Sequence, residues 1–286
     1  MQFSDTPRQS AVAGRFYPGD GKALAEEVIR FLSLRSRKIV DLKGKKVLCL
    51  LVPHAGYVFS GPVTGMTLGR VPLPDRIILL GPNHTGRGAP LSVWNGGPWL
   101  TPLGAARIDR PTAEALVETN AGFSPDMRAH VQEHSLEVLI PFFQVMNPKA
   151  RVTPITVSSL PVSALRVAGE ALADVVLSAA ASGGEILLVV SSDMSHYLPH
   201  DTAVRVDSMA LEALRTLDAE HYFHTVRDNK ISMCGVFPMT MALFALKKLG
   251  ASSARVMAYA TSGQTGKSVG ADMSKVVGYA GVAITE

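Results

Sequence analysis

Apolar residues along this chain fall into short unbroken runs set between stretches of helical periodicity. Val47 to Val52, Ile77 to Leu80 and Ile186 to Val190 are continuous apolar segments of strand length. Such runs fit strands buried on both faces, the condition of a parallel sheet with helices on either side. Arg151 to Val157 predicts another strand, and strands near 254–261 and 275–283 finish the sheet. Between them the periodicity predicts amphipathic helices at about 20–35, 162–179, 201–216 and 218–228. A helix capped by Ser60 runs to about Arg70, one begins near Pro111, and an apolar one opens at Cys234-Gly235 and ends at Leu249. Short strands and turns fill the region through Leu103-Gly104. Strands alternating with helices, without a repeat or linker, predict a single α/β domain over residues 1–286.

Composition narrows the class. The chain has 286 residues, 47% of them hydrophobic, enough for a substantial core. Its 28 basic and 24 acidic residues give a net charge of +4, with basic clusters at Arg35 to Lys38 and Lys43 to Lys46. No aromatic residues interleave with those charges, so they read as a solvated helix end and loop, and no nucleic-acid partner is expected. The N-terminus lacks the apolar stretch of a signal peptide, and Lys247-Lys248 closes the apolar segment 239–246 long before it spans a bilayer. Cys49 and Cys234 are the only cysteines and have no paired spacing, which suits a reducing cytoplasm.

The chemistry gathers where strands end. Pro53 stops the first apolar strand and His54 follows; Gly81-Pro82-Asn83-His84 follows the second; Ser192-Asp193-Met194-Ser195-His196 follows the third. Open α/β sheets keep their ligands at the carboxyl ends of strands, so these side chains are expected in one crevice. Two histidines and one anionic group are a ligand set for a catalytic transition metal, with Asp193 or Cys234 as the third donor. Cys234 precedes an apolar helix whose dipole favours thiolate, while Cys49 lies mid-strand as core filler. His134, expected at the start of a helix, and His196 are acid/base or orienting candidates. Arg15 either binds an anion or ties the N-terminal segment down. His130, His200, His221 and His224 read as surface positions, and Gly263-Gln264-Thr265-Gly266 as a flexible lid, since it lacks the ending of a P-loop.

These segments carry a resemblance. Ala13-Gly14-Arg15-Phe16-Tyr17-Pro18, Pro53-His54-Ala55-Gly56-Tyr57, Gly81-Pro82-Asn83-His84, Glu133-His134-Ser135-Leu136-Glu137, Ser192 to Tyr197 and Cys234-Gly235 are similar, in order, to the Memo family. Its prokaryotic members are called AmmeMemoRadiSam system protein B. The resemblance implies a central mixed sheet flanked by helices, of the class III extradiol dioxygenase (LigB) type. It implies a metal site at His54, His84 and Cys234, with Asp193, His196 and His134 as catalytic groups and Tyr57, Arg15 and Asn83 on the substrate side. Fe(II) is the expected metal, with copper or zinc as alternatives, because thiolate is softer than the carboxylate of the ring-cleaving relatives. Leu139 stands where the family pattern leads us to expect glutamine. The implied function is a metal-dependent oxidoreductase acting on a small molecule or peptide; the alternative is a non-catalytic binding module. AMMECR1-like and radical SAM proteins are the implied partners.

Overall fold

The computed structural model describes residues 3–34, 42 and 44–286. Its centre is four parallel strands buried on both faces: β1 (Val47–Val52), β2 (Arg76–Pro82), β7 (Arg151–Val157) and β8 (Ile186–Ser191), in spatial order β1-β8-β2-β7. Between β2 and β7 in sequence lie the short strands β3 (Leu91–Val93), β4 (Trp99–Thr101), β5 (Gly104–Ile108) and β6 (Ser124–Pro125). After β8 come β9 (His196–Leu198), β10 (Ser253–Thr261) and β11 (Val276–Thr285). β11 lies antiparallel to β1 and to β10, and β3 lies antiparallel to β7, so the sheet is mixed.

Side chains alternate across this sheet with the period of two that a strand imposes. Leu51, Ile78, Leu80, Leu188 and Val190 belong to one apolar layer, completed by α3 (Arg110–Glu118), α5 (Val162–Ala181), α6 (His200–Arg215), α7 (Ala219–Asp228) and α8 (Val236–Lys248). Leu50, Val52, Ile77, Leu79, Leu187 and Val189 belong to the other, with α1 (Gly21–Ser33), α2 (Tyr57–Leu68) and α4 (Ile140–Met146). The result is one three-layered α/β domain, and Cys49 is buried within it. Among the described residues no helix is long and apolar enough to cross a membrane.

Four expectations change. α2 begins at Tyr57 with Gly56 as its cap, and the Ser60 hydroxyl donates to the Ala55 carbonyl instead of capping. His134 lies in a loop ahead of a 3-10 turn at Glu137–Leu139, because α4 starts only at Ile140. Residues Ser262–Thr265 form a short helix, α9, not a flexible lid: Thr261 and Gln264 close a capping box, and Gly263 packs against the Asp272 carbonyl. His130 is buried between Trp94 and Trp99, with Nε2 beside Ser92, where burial drives its pKa down to about 3. Leu139 is buried in the apolar layer that contains Ile140 and Phe142. Of the basic clusters, residues 35–38 and 43 lie outside the described residues.

A buried ion pair fixes the N-terminal segment to the loop before α4. Arg8 donates to a Glu137 carboxylate oxygen at 2.6 Å and to the carbonyls of His130 and Glu133 at 2.8 and 2.6 Å. Glu137 also accepts from the Ala11 and Val12 amides and the Tyr17 hydroxyl. Removing one member of such a pair strands the other charge in the interior. Arg8→Met is therefore expected to lower the unfolding free energy by about 3 kcal/mol in urea titration, and an unchanged midpoint would contradict this arrangement.

Candidate metal centre

Neighbouring strands deliver the candidate ligands. β1 and β2 flank β8, so His54, His84 and the Ser192–His196 segment leave the same edge of the sheet side by side. Cys234 comes to this edge from the other direction, just ahead of α8. Gly235 permits that approach: a Cβ there would stand 2.3 Å from the Ser192 Cβ, and the Gly235 N–H donates to the Ser192 hydroxyl at 2.9 Å. One ring nitrogen from His54, one from His84 and the Cys234 sulfur lie within 4.8 Å of one another. Cys234 Sγ is 3.2 Å from His54 Nε2.

Hydrogen bonds behind the rings decide which nitrogens face the cluster. Ser191 donates its hydroxyl to the Ser135 carbonyl at 2.6 Å, so at His54 Nδ1, 2.8 Å away, it accepts. That places the His54 proton on Nδ1 and leaves the Nε2 lone pair directed at Cys234. His84 is oriented by Glu133, which accepts from His84 Nδ1 at 2.9 Å and from the His84 amide at 2.5 Å. The Ser135 amide donates to the same carboxylate at 2.9 Å. A carboxylate or hydroxyl behind each ring is the usual means of fixing tautomer and aim in metal-ligating histidines.

The charge states follow from the same contacts. Burial, then the neighbouring rings of His84, His134 and His196, push the pKa of His54 well below its ordinary value. Burial pushes Glu133 upward, but His84, the Ser135 amide and His134 outweigh it and bring the carboxyl down to about 2. Burial and then Asp193 push the Cys234 thiol up, overriding the expected helix-dipole effect, even though the Asp193 amide donates to Sγ at 3.2 Å. A cation held between these rings would supply the positive charge needed to make this sulfur a thiolate.

Asp193 is not brought into the ligand cluster. Its carboxylate, pushed up to about 6 by burial, accepts the His54 amide at 2.8 Å and so holds β1's end in place. His134 stacks on His84 with ring centroids 4.8 Å apart and stands 5.6 Å from His54. His84, Glu133 and His134 form a second group of close donors, with His134 Nδ1 3.5 Å from the Glu133 carboxylate. His196 gives its Nδ1 proton to the Ser232 carbonyl at 2.8 Å, leaving Nε2 uncommitted, and acts electrostatically on His54 and Asp193. Tyr57 is withdrawn from the site: its ring is buried against Tyr17, Phe31 and Phe142, and its hydroxyl donates to the Val138 carbonyl. Asn83 spends its amide within the turn after β2, accepting from Thr85 and Gly86 and donating to Arg87. Arg15 is exposed beside Phe16, whose ring lies 5.0 Å from His134.

The family profile described as Memo-like protein matches residues 8–283. The chain belongs to the Memo-like family. A MEMO1 family protein of Methanopyrus kandleri is 37% identical over 284 residues, covering 96% of this chain and 98% of that protein. MEMO1 family proteins of Aquifex aeolicus and Sulfurisphaera tokodaii are 37% and 36% identical, with the same coverage. Every residue of the centre described above lies inside the matched span of this Memo-like chain.

Sequence reasoning missed Glu133 and Ser191 as orienting groups and Arg8 with Glu137 as the anchor of their loop. Glu133 had a signal: an acid directly beside a candidate histidine, in a class of site where histidines need carboxylate partners. Ser191 had none, since a serine closing an apolar strand is common. The tautomer assignment is testable by long-range 1H–15N NMR on the metal-free protein. His54 is expected neutral, protonated on Nδ1 and unchanged between about pH 6 and 8; a proton on Nε2, or titration in that window, would contradict the geometry.

Proposed function

We propose that this Memo-like chain is a metal-dependent oxidoreductase whose cation is held by His54, His84 and Cys234. The observation that carries the proposal is the convergence of two lone-pair-bearing imidazole nitrogens and one sulfur within 4.8 Å. Ligands ~2.0–2.3 Å from a common ion at a tetrahedral angle lie ~3.5 Å apart, which the 3.2 Å approach of Sγ to Nε2 matches closely. Fe(II) is the favoured ion, with copper and zinc as competitors, because two imidazoles and one thiolate satisfy all three and leave positions open for substrate. Bound there, the metal supplies a redox-active Lewis acid.

The protein groups have separable tasks. His54, 2% exposed, is the floor of the site, whereas the His84 side chain is 35% exposed and leaves the centre accessible at its rim. Glu133 and Ser191 hold the two rings, and Asp193 holds the backbone of His54 at the end of β1. His196 has a free Nε2 able to take or return a proton, and His134 offers a second ring beside His84. A likeness to class III extradiol dioxygenases supports oxygen-dependent chemistry, and exchange of their carboxylate for Cys234 argues for a different substrate. AMMECR1-like and radical SAM proteins are proposed as partners on the family resemblance alone.

Protein purified anaerobically and reconstituted with Fe(II) is expected to hold about one metal ion per chain. His54→Ala and Cys234→Ser should abolish binding, and Glu133→Gln should weaken it about 10- to 100-fold, as loss of an orienting carboxylate does elsewhere. Metal content near zero in the wild type after reconstitution, or equal content in all four proteins, would overturn the proposal.

A further inference from the structure

Beside the metal centre, a groove of about 680 Å³ runs from His134 along the N-terminal segment, past Phe16, Met127 and Trp94. Its volume is that of a small-molecule site. Its charge is one-sided. The described residues lining it include Arg8, Arg15 and His134 but no aspartate or glutamate. Arg8 is neutralised by its buried pair with Glu137. Among the described residues Arg15 has neither an ion pair nor a side-chain hydrogen bond, so its guanidinium is the uncompensated charge of the groove. It also borders a neighbouring hollow of about 410 Å³ that contains Glu27, and that acid is engaged by Arg30 at 3.1 Å.

Arg15 is also held on a rigid platform. Gly14 adopts φ of 75°, closing a turn in which the Arg15 and Phe16 amides donate to the Val12 carbonyl and the Gly14 amide to the Tyr17 carbonyl. Glu137 pins both sides of that turn through the Val12 amide and the Tyr17 hydroxyl, and the Tyr57 amide donates to the Phe16 carbonyl. Anchoring of this segment is therefore the work of Arg8 and Glu137, which leaves the Arg15 side chain without a structural duty. An unpaired guanidinium on a fixed turn is suited to bidentate recognition of an oxyanion.

We propose that this groove takes a small organic anion, with Arg15 pairing its carboxylate or phosphate and the apolar body lying along Phe16 and Met127 toward His134. This rests on the metal-centre reading only for what happens at the far end of the molecule; the anion site stands on its own contacts. The substrate class is thereby narrowed to small molecules carrying an anionic group remote from the reacting end.

The test uses the full chain and three probes followed by 1H–15N NMR titration: benzoate, phenyl phosphate and benzyl alcohol. At least one anion is expected to shift the groove amides and to bind about tenfold or more tightly than the alcohol, the worth of one good charged hydrogen-bond pair. Arg15→Ala should reduce that anion to the level of the alcohol, and Arg15→Lys should restore part of the binding. Unchanged circular dichroism and metal content would show that the exposed Arg15 variants are folded. Preference for benzoate assigns a carboxylate, and preference for phenyl phosphate assigns a phosphate. Anions that bind no better than the alcohol, or bind equally to Arg15→Ala, would overturn the inference. The two readings fail separately: a chain that takes no metal yet binds an anion through Arg15 loses the metal centre alone. A chain that takes metal but ignores probe charge loses this inference alone.

Discussion

The buried carboxylate of Glu133 is the constraint on which the centre depends. It is fully inaccessible, and an isolated charge in that position would cost several kcal/mol. Three donors make it tolerable: the ring and amide of His84 and the amide of Ser135. Those same bonds dictate the aim of His84. The acid thus cannot be satisfied unless the loop after β2 and the loop before α4 meet, and when they meet the His84 lone pair has one direction left. Ser191 performs the equivalent task for His54 through a neutral hydroxyl, which gives direction without a second buried charge.

Behind this lies a chain of dependence reaching the N-terminus. Arg8 accounts for two carbonyls of the loop carrying Glu133 and His134, and for one oxygen of Glu137. Glu137 in turn secures the turn bearing Arg15 and Phe16. One buried pair therefore sets both the rear of the candidate metal centre and the wall of the adjoining groove. Packed arrangements of this kind respond to substitution as a unit, because each member's partners are shared.

The sheet was legible because three of its four parallel strands, β1, β2 and β8, carry unbroken apolar runs, and the positions of His54 and His84 followed from where two of those runs stop. Burial on both faces produces that pattern, and the carboxyl-end rule converts it into a site. Less was legible wherever tertiary contacts override local pattern. His130 sits in a polar-looking stretch yet is enclosed by Trp94 and Trp99, residues more than thirty positions away in the chain. Tyr57 follows directly on the His54 motif, but helix α2 begins there and turns its ring into the core. Spacing left Asp193 and Cys234 both open as the third candidate donor; among the described residues it is the Cys234 sulfur that lies within 4.8 Å of both rings, while the Asp193 carboxylate accepts the His54 amide.

Whether side chains from three separate loops share one cation is read from X-ray absorption at the metal edge of the Fe(II)-reconstituted protein. We expect one sulfur scatterer at ~2.3 Å, together with nitrogen scatterers at ~2.1 Å showing the outer-shell pattern of two imidazoles. A spectrum fitted by oxygen and nitrogen alone, with no sulfur in the first coordination sphere, would contradict that sharing.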